Sequence, residues 1–184
     1  MVIIERAKDP RLQELFNAGV NVYSFSKLGT IEQCQLQAWY SYIKHEEGID
    51  GIYSRLGGSM HDVLEQLIHQ QATCDDLLPA LHNALDECET LGLTFPKDFR
   101  GNDSIKEKWI KDMTHFCQNF YPPRGEFKTE QLLIYHVSPT RAIQGYIDLM
   151  KLEPDGSVSV YDWKTSTRFA PSTLLEHGRQ LVIY

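Results

Sequence analysis

Basic residues are scarce: 18 Lys and Arg stand against 25 Asp and Glu, for a net charge of −7. A chain of that sign does not hold nucleic acid by bulk positive charge. It can still bind nucleic acid locally if a metal ion supplies part of the positive charge. Cysteine is scarce too. Cys34, Cys74, Cys88 and Cys117 include no CxxC pair, and Met1-Val2-Ile3-Ile4-Glu5 lacks the apolar core of an export signal. The four therefore read as reduced thiols. No apolar run reaches the ~20 residues that span a bilayer. Internal repeats, low-complexity segments and charge blocks are absent. The seven histidines form no HxH or HxxxH cluster with a carboxylate partner, which excludes a zinc hydrolase built on them. What is left reads as a cytoplasmic chain with no membrane segment, whose 184 residues, 42% hydrophobic, can bury a real core as one domain.

Residues 1–123 read as mainly helical. Asp9-Pro10 is an N-cap followed by proline at the first helical position, and Gly19 closes that segment. Ser24 or Ser26 can cap a second helix running toward Tyr42. A third is expected to open at Gly57-Gly58-Ser59, because Met60, Val63, Leu64, Leu67 and Ile68 share one face at helical spacing. Asp75 to Leu91 and Ser104 to Phe120 are two more, separated by the Pro- and Gly-punctuated stretch 92–101. Trp39, Tyr40, Tyr42, Trp109 and Phe116 read as core aromatics.

The pattern changes after Pro122-Pro123. Residues 127–137, 142–152 and 157–164 are rich in β-branched, aromatic and aliphatic types and read as strands. Pro171-Ser172 opens a last helix on which Leu174, Leu175, Leu181 and Val182 promise a buried face. No cap follows them, so the chain reads as C-terminally incomplete. Helices, then a meander of strands, then a helix give an α/β (α+β) class. Residues 124–184 form the sheet part of a single domain spanning 1–184.

The stretch from Gly145 to Lys164 carries the chemistry. If Pro154-Asp155-Gly156 is a hairpin loop with Gly156 in the left-handed conformation, Glu153 faces Ser157. Stepping five residues back on one strand and five forward on the other then sets Asp148 opposite Asp162, with Cβ atoms about 4.5–5.5 Å apart. Lys164 shares their face by the strand period of two. Opposed carboxylates repel, and burying them is costly unless a cation joins them. Oxygen-rich sites of this kind suit Mg²⁺ or Mn²⁺. A solvated hairpin with surface aspartates is the plain alternative.

Further motifs surround this core in a fixed order: Ser24-Phe25-Ser26 with Cys34 and Trp39-Tyr40, then Gly58-x-x-His61, Gly145-x-x-Asp148, Asp162-x-Lys164-Thr165-Ser166 and Gln180-x-x-x-Tyr184. Together they resemble the RecB-like branch of the PD-(D/E)xK nuclease superfamily, which includes nuclease domains of helicase–nuclease complexes and CRISPR-associated exonucleases. The resemblance departs from the family name at Ile147, where proline is usual, and has Asp162 where glutamate is commoner.

The resemblance implies a restriction-endonuclease-like core, a central mixed sheet flanked by helices. It also implies a Mg²⁺- or Mn²⁺-dependent DNA exonuclease of recombination, repair or phage and CRISPR-type processing, bacterial, archaeal or phage-encoded. By it, His61, Asp148, Asp162 and the Trp163 carbonyl are metal ligands, Lys164 is the catalytic lysine, and Gln180 and Tyr184 position the strand or the site. Lys27, Arg55, Arg168 and Arg179 are candidates for phosphate contacts. Glu65 and Glu130 are candidate supporting residues around the ligands. DNA, single-stranded or at duplex ends, is the expected partner, with a helicase or recombination protein and homo-oligomers also allowed. Cys34 corresponds to an iron–sulfur ligand in some members, but a cluster takes about four thiolates and no cysteine follows Cys117. Unless the natural chain continues with more cysteines, Cys34 reads as a small buried thiol. The other functional reading is a non-catalytic module of nuclease fold that binds DNA or a helicase or recombination partner.

Overall fold

The computed structural model describes residues 9–46, 48, 51–165 and 171–183. The elements run α1 (Pro10–Asn17), β1 (Asn21–Ser24), α2 (Phe25–Gln33), α3 (Gln35–Tyr42), α4 (Ile52–Ile68), a short 3₁₀ turn (Cys74–Asp76), α5 (Leu77–Thr90), α6 (Ser104–Asn119), β2 (Phe127–Ser138), β3 (Arg141–Leu152), β4 (Val158–Tyr161) and α7 (Pro171–Ile183). The four strands form a mixed sheet in the order β1-β3-β2, with β4 also pairing with β3. This is the mixed α/β architecture of a restriction-endonuclease-like fold. The chain divides into two compact units, one of residues 1–49, 130–149 and 173–184, the other of 50–129 and 150–172.

In the first unit, Asp9 caps α1 by accepting the Arg11 N–H at 2.9 Å. Gly19, with φ +71°, turns the chain out of the helix. The strand that follows, β1, lies within the stretch expected to be helical. It runs parallel to β3, with Asn21 beside Arg141 and Ser24 beside Gln144. Ser24 ends the strand and caps α2, its Oγ accepting from the Lys27 N–H at 3.1 Å.

The expected single helix toward Tyr42 is two. Cys34, extended at φ −155°, ends α2 and caps α3, its Sγ accepting from the Gln37 N–H at 3.4 Å. Its thiol is exposed, not buried as expected, because the capping position holds it at a helix end. Nor are Trp39 and Tyr40 core residues. Helix α3 buries the small Ala38 and turns Leu36, Trp39, Tyr40 and Ile43 outward, while Tyr42 is half-buried. On α7, Leu174, Leu175, Leu181 and Val182 are exposed as well, against the expected buried face.

The second unit holds the larger core. Helix α4 contributes Ile52, Leu56, Met60, Val63, Leu64 and Leu67 to it. From α5 come Leu77, Leu81, Ala84 and Cys88, and from α6 Trp109, Met113 and Cys117. At about 25 cal/mol per Å² of apolar surface, each fully buried Leu or Met side chain contributes roughly 1.5–3 kcal/mol. The apolar face of α4 begins at Ile52, and the helix begins there too, a full turn before the expected start. Gly57 and Gly58 therefore lie inside the helix, where each costs about 1 kcal/mol relative to alanine.

The hairpin closes as the sequence predicts. The Glu153 N–H donates to the Ser157 carbonyl at 2.8 Å, the Gly156 N–H to the Glu153 carbonyl at 2.9 Å, and Gly156 has φ +85°. Asp155 holds the loop by accepting from the Ser157 N–H and Oγ at 2.9 and 2.6 Å, which keeps its pKa below the ordinary carboxylate value. Strand β4 stops at Tyr161, short of the expected 164. Asp162 and Lys164 thus stand on the irregular segment 162–165.

Candidate functional site

The segment 162–165 is irregular but held at several points, all within the second unit. The Trp163 ring packs against the helical core and meets the Phe120 ring edge-on at 5.8 Å. The Trp163 carbonyl lies 2.9 Å from His61 Nε2 on α4. Two residues on, the Thr165 carbonyl accepts the Trp109 Nε1–H at 3.2 Å. Gly57 admits the Thr165 side chain: a Cβ there would stand 3.4 Å from Thr165 Oγ1. Lys164 is therefore flanked by two residues tied to the helical core. Its Nζ lies 2.6 Å from Asp162 Oδ2, with the lysine side chain 26% and the aspartate side chain 11% exposed. An ammonium so placed is oriented.

His61 comes from the middle of α4, where the helix is fixed by its buried face, so the ring has a rigid base. One turn along, Glu65 accepts from Thr129 Oγ1 at 3.0 Å, and His69 Nε2 stands 2.8 Å from the same hydroxyl. Since that hydroxyl donates to Glu65, His69 serves as its donor. This chain ties α4 to the start of β2. Glu130 follows Thr129 on β2, exposed and with φ +47°, an uncommon conformation for a residue other than glycine. Asp148 is half-buried on β3 and belongs to the first unit.

Among the described residues, no three His, Cys, Asp or Glu side chains stand together as a metal cluster. Of the expected ligands, His61 and Asp162 belong to the second unit and Asp148 to the first. Lys164 balances the charge of Asp162. The donor chemistry itself suits a hard divalent ion, being carboxylate, imidazole and backbone carbonyl. A carbonyl oxygen only accepts, so the 2.9 Å contact is a hydrogen bond in which His61 Nε2–H donates to the Trp163 oxygen.

The expected phosphate contacts all have internal partners where they are described. Lys27 is half-buried, donates to the Val22 carbonyl at 3.3 Å and lies 5.0 and 5.3 Å from the Tyr23 and Tyr42 ring centres. Burial lowers its pKa. Arg55 pairs with Glu87, and Arg179 with Glu32 at 3.4 Å. Exposed pairs of this kind are worth at most about 1 kcal/mol and exchange readily for a phosphate. Gln180 is half-buried on α7, while Arg168 and Tyr184 lie outside the described residues.

Sequence reasoning named Lys164 and Asp162, and the family resemblance His61, but neither pointed to the contacts that hold segment 162–165. The Trp109–Thr165 bond and the Thr129–His69–Glu65 chain join residues remote in sequence, and no local pattern announces them. Gly57 carried a signal: a glycine inside an apolar helical pattern marks a close approach.

Among the described residues, no helix is long and apolar enough to cross a membrane. No curated protein and no solved structure gives a match. A family model, however, described as the PD-(D/E)XK nuclease superfamily, matches residues 22–184 and so takes in every part of this site. The anchored lysine beside an aspartate two residues before it agrees with that match, and the chain belongs to the PD-(D/E)XK nuclease superfamily.

Proposed function

We propose that this nuclease-family chain is a Mg²⁺- or Mn²⁺-dependent DNA exonuclease of the RecB-like branch, acting in recombination, repair or phage and CRISPR-type DNA processing. The observation that carries this reading is the segment 162–165, which presents a carboxylate, a carbonyl beside an imidazole, and an oriented ammonium within four residues. Asp162, His61 and the Trp163 carbonyl would hold the cation. By the family resemblance, Asp148 would join them as a further carboxylate ligand.

A divalent cation bound there supplies Lewis acidity toward a phosphate oxygen and lowers the pKa of a water. The chain's own groups do the rest. Asp162 keeps Lys164 in place through one carboxylate oxygen. The Lys164 ammonium holds the attacking water by a hydrogen bond and stabilises the charge growing on the phosphate. Trp163 and Thr165 stop the lysine from swinging away, so little reorganisation accompanies the reaction. Gln180 and Tyr184 would position the strand, and Arg55, Arg168, Arg179 and Lys27 would meet its phosphates. Glu65 and Glu130 would support the ligands around them. A helicase or recombination protein would deliver the DNA end, which fits a chain with few cations of its own.

The test is incubation of end-labelled single-stranded and duplex DNA with Mn²⁺, with Mg²⁺ and with chelator. The expected result is stepwise shortening in either metal, products with 5′-phosphates, and no cleavage in chelator. Cleavage that persists in chelator, or none in any condition with any DNA, would remove the reading.

A further inference from the structure

Segment 162–165 follows the end of β4 at Tyr161, and two of its carbonyls end on helix side chains. His61 Nε2–H on α4 donates to the Trp163 oxygen at 2.9 Å, and Trp109 Nε1–H on α6 donates to the Thr165 oxygen at 3.2 Å. The two bonds bracket Lys164, one residue to either side. The indole is itself fixed in place. It is 4% exposed, and the Phe95 ring lies 5.5 Å from it. Tyr53 of α4 meets Phe95 edge-on, also at 5.5 Å. This row of three rings ties α6 to α4, so both donors belong to one packed body. A buried indole N–H takes an acceptor. Here the acceptor belongs to the residue after the lysine, 56 positions along the chain.

We infer that Trp109 is a positioning residue for Lys164: its N–H fixes the Thr165 carbonyl, and with it the backbone from which the ammonium reaches the reacting phosphate. This deepens the nuclease reading above and rests on it. Without the indole N–H, the segment keeps its tie to His61 on one side of the lysine and loses the tie on the other. The Lys164 Nζ, now 2.6 Å from Asp162, would then sample positions away from the attacking water. A displacement of about 1 Å is enough to cost about 100-fold in rate.

Two variants remove the donor. Trp109→Phe keeps a smaller ring in the core. Trp109→benzothienylalanine, with sulfur in place of the N–H, keeps the whole shape of the indole. Each is expected to lower kcat for end-labelled DNA in Mn²⁺ at least about tenfold, with KM within about twofold. The benzothienyl variant should melt no more than about 4 °C below wild type, the range for one lost hydrogen bond. The decisive readout is a double-mutant cycle. In a chain that already carries Lys164→Ala, either change at position 109 should alter the residual single-turnover rate less than about twofold, because the group it positions is gone.

A benzothienyl variant that cuts at the wild-type rate would overturn the inference and leave the nuclease reading intact. A loss of equal size in the Lys164→Ala background would also overturn it, since Trp109 would then act on the fold and not through the lysine. A wild-type chain that cuts no DNA would remove both.

Discussion

Lys164→Ala is expected to lower DNA cleavage by about 10³-fold, the range for removing a group that handles a proton or stabilises developing charge. The loss should fall on kcat, with KM nearly unchanged, because the ammonium acts mainly on the transition state. Folding should survive. The side chain is a quarter exposed and its partner is Asp162, while the segment is held by Trp163 and by the Thr165 carbonyl. Metal binding should be undiminished, because removal of Lys164 withdraws a cation that competes for the carboxylate. Circular dichroism, Mn²⁺ calorimetry and single-turnover cleavage together check this. Cleavage within about tenfold of wild type would show that Lys164 is not the catalytic lysine.

Asp148→Asn carries the second large effect. It is expected to weaken Mn²⁺ binding at least about 100-fold, more than loss of an outer-shell partner does. In chelator its melting temperature should equal or slightly exceed that of wild type, since a half-buried carboxylate is replaced by a neutral group. In saturating Mn²⁺ the order should reverse, as a cation that binds only the folded wild type stabilises it by mass action. Thermal melts of both proteins in chelator and in Mn²⁺ test this. Equal destabilisation in both would mean that Asp148 has a packing role and no metal role.

Much of this was legible because it is local. Asp9-Pro10 and Gly19 bracket α1 through side-chain and backbone preferences that act within a few residues. The loop 154–156 was legible from the left-handed preference of glycine and from Asp155 bonding two residues ahead. Illegible parts depend on distant partners. Strand β1 is four residues long, too short for its alternation to show, and exists because β3 pairs with it. The outward face of α3 was misread because Trp39 and Tyr40 declare apolar bulk without declaring which side of the helix the body lies on. Ala38 takes the buried side. The site divides in the same way. Asp162 and Lys164 were singled out by residue type and spacing and His61 by the family resemblance, whereas the hold on segment 162–165 comes from Trp109 and Phe120, far away in the chain.

The central claim is that His61 Nε2 and the carboxylates hold the cation on which cleavage depends. Electron spin-echo spectroscopy of bound Mn²⁺ tests it most directly, because a nitrogen ligand modulates the echo. The account predicts nitrogen modulation in the wild-type complex, its disappearance in His61→Ala, and its persistence in Lys164→Ala. Mn²⁺ bound without nitrogen modulation, or with modulation unchanged in His61→Ala, would contradict it.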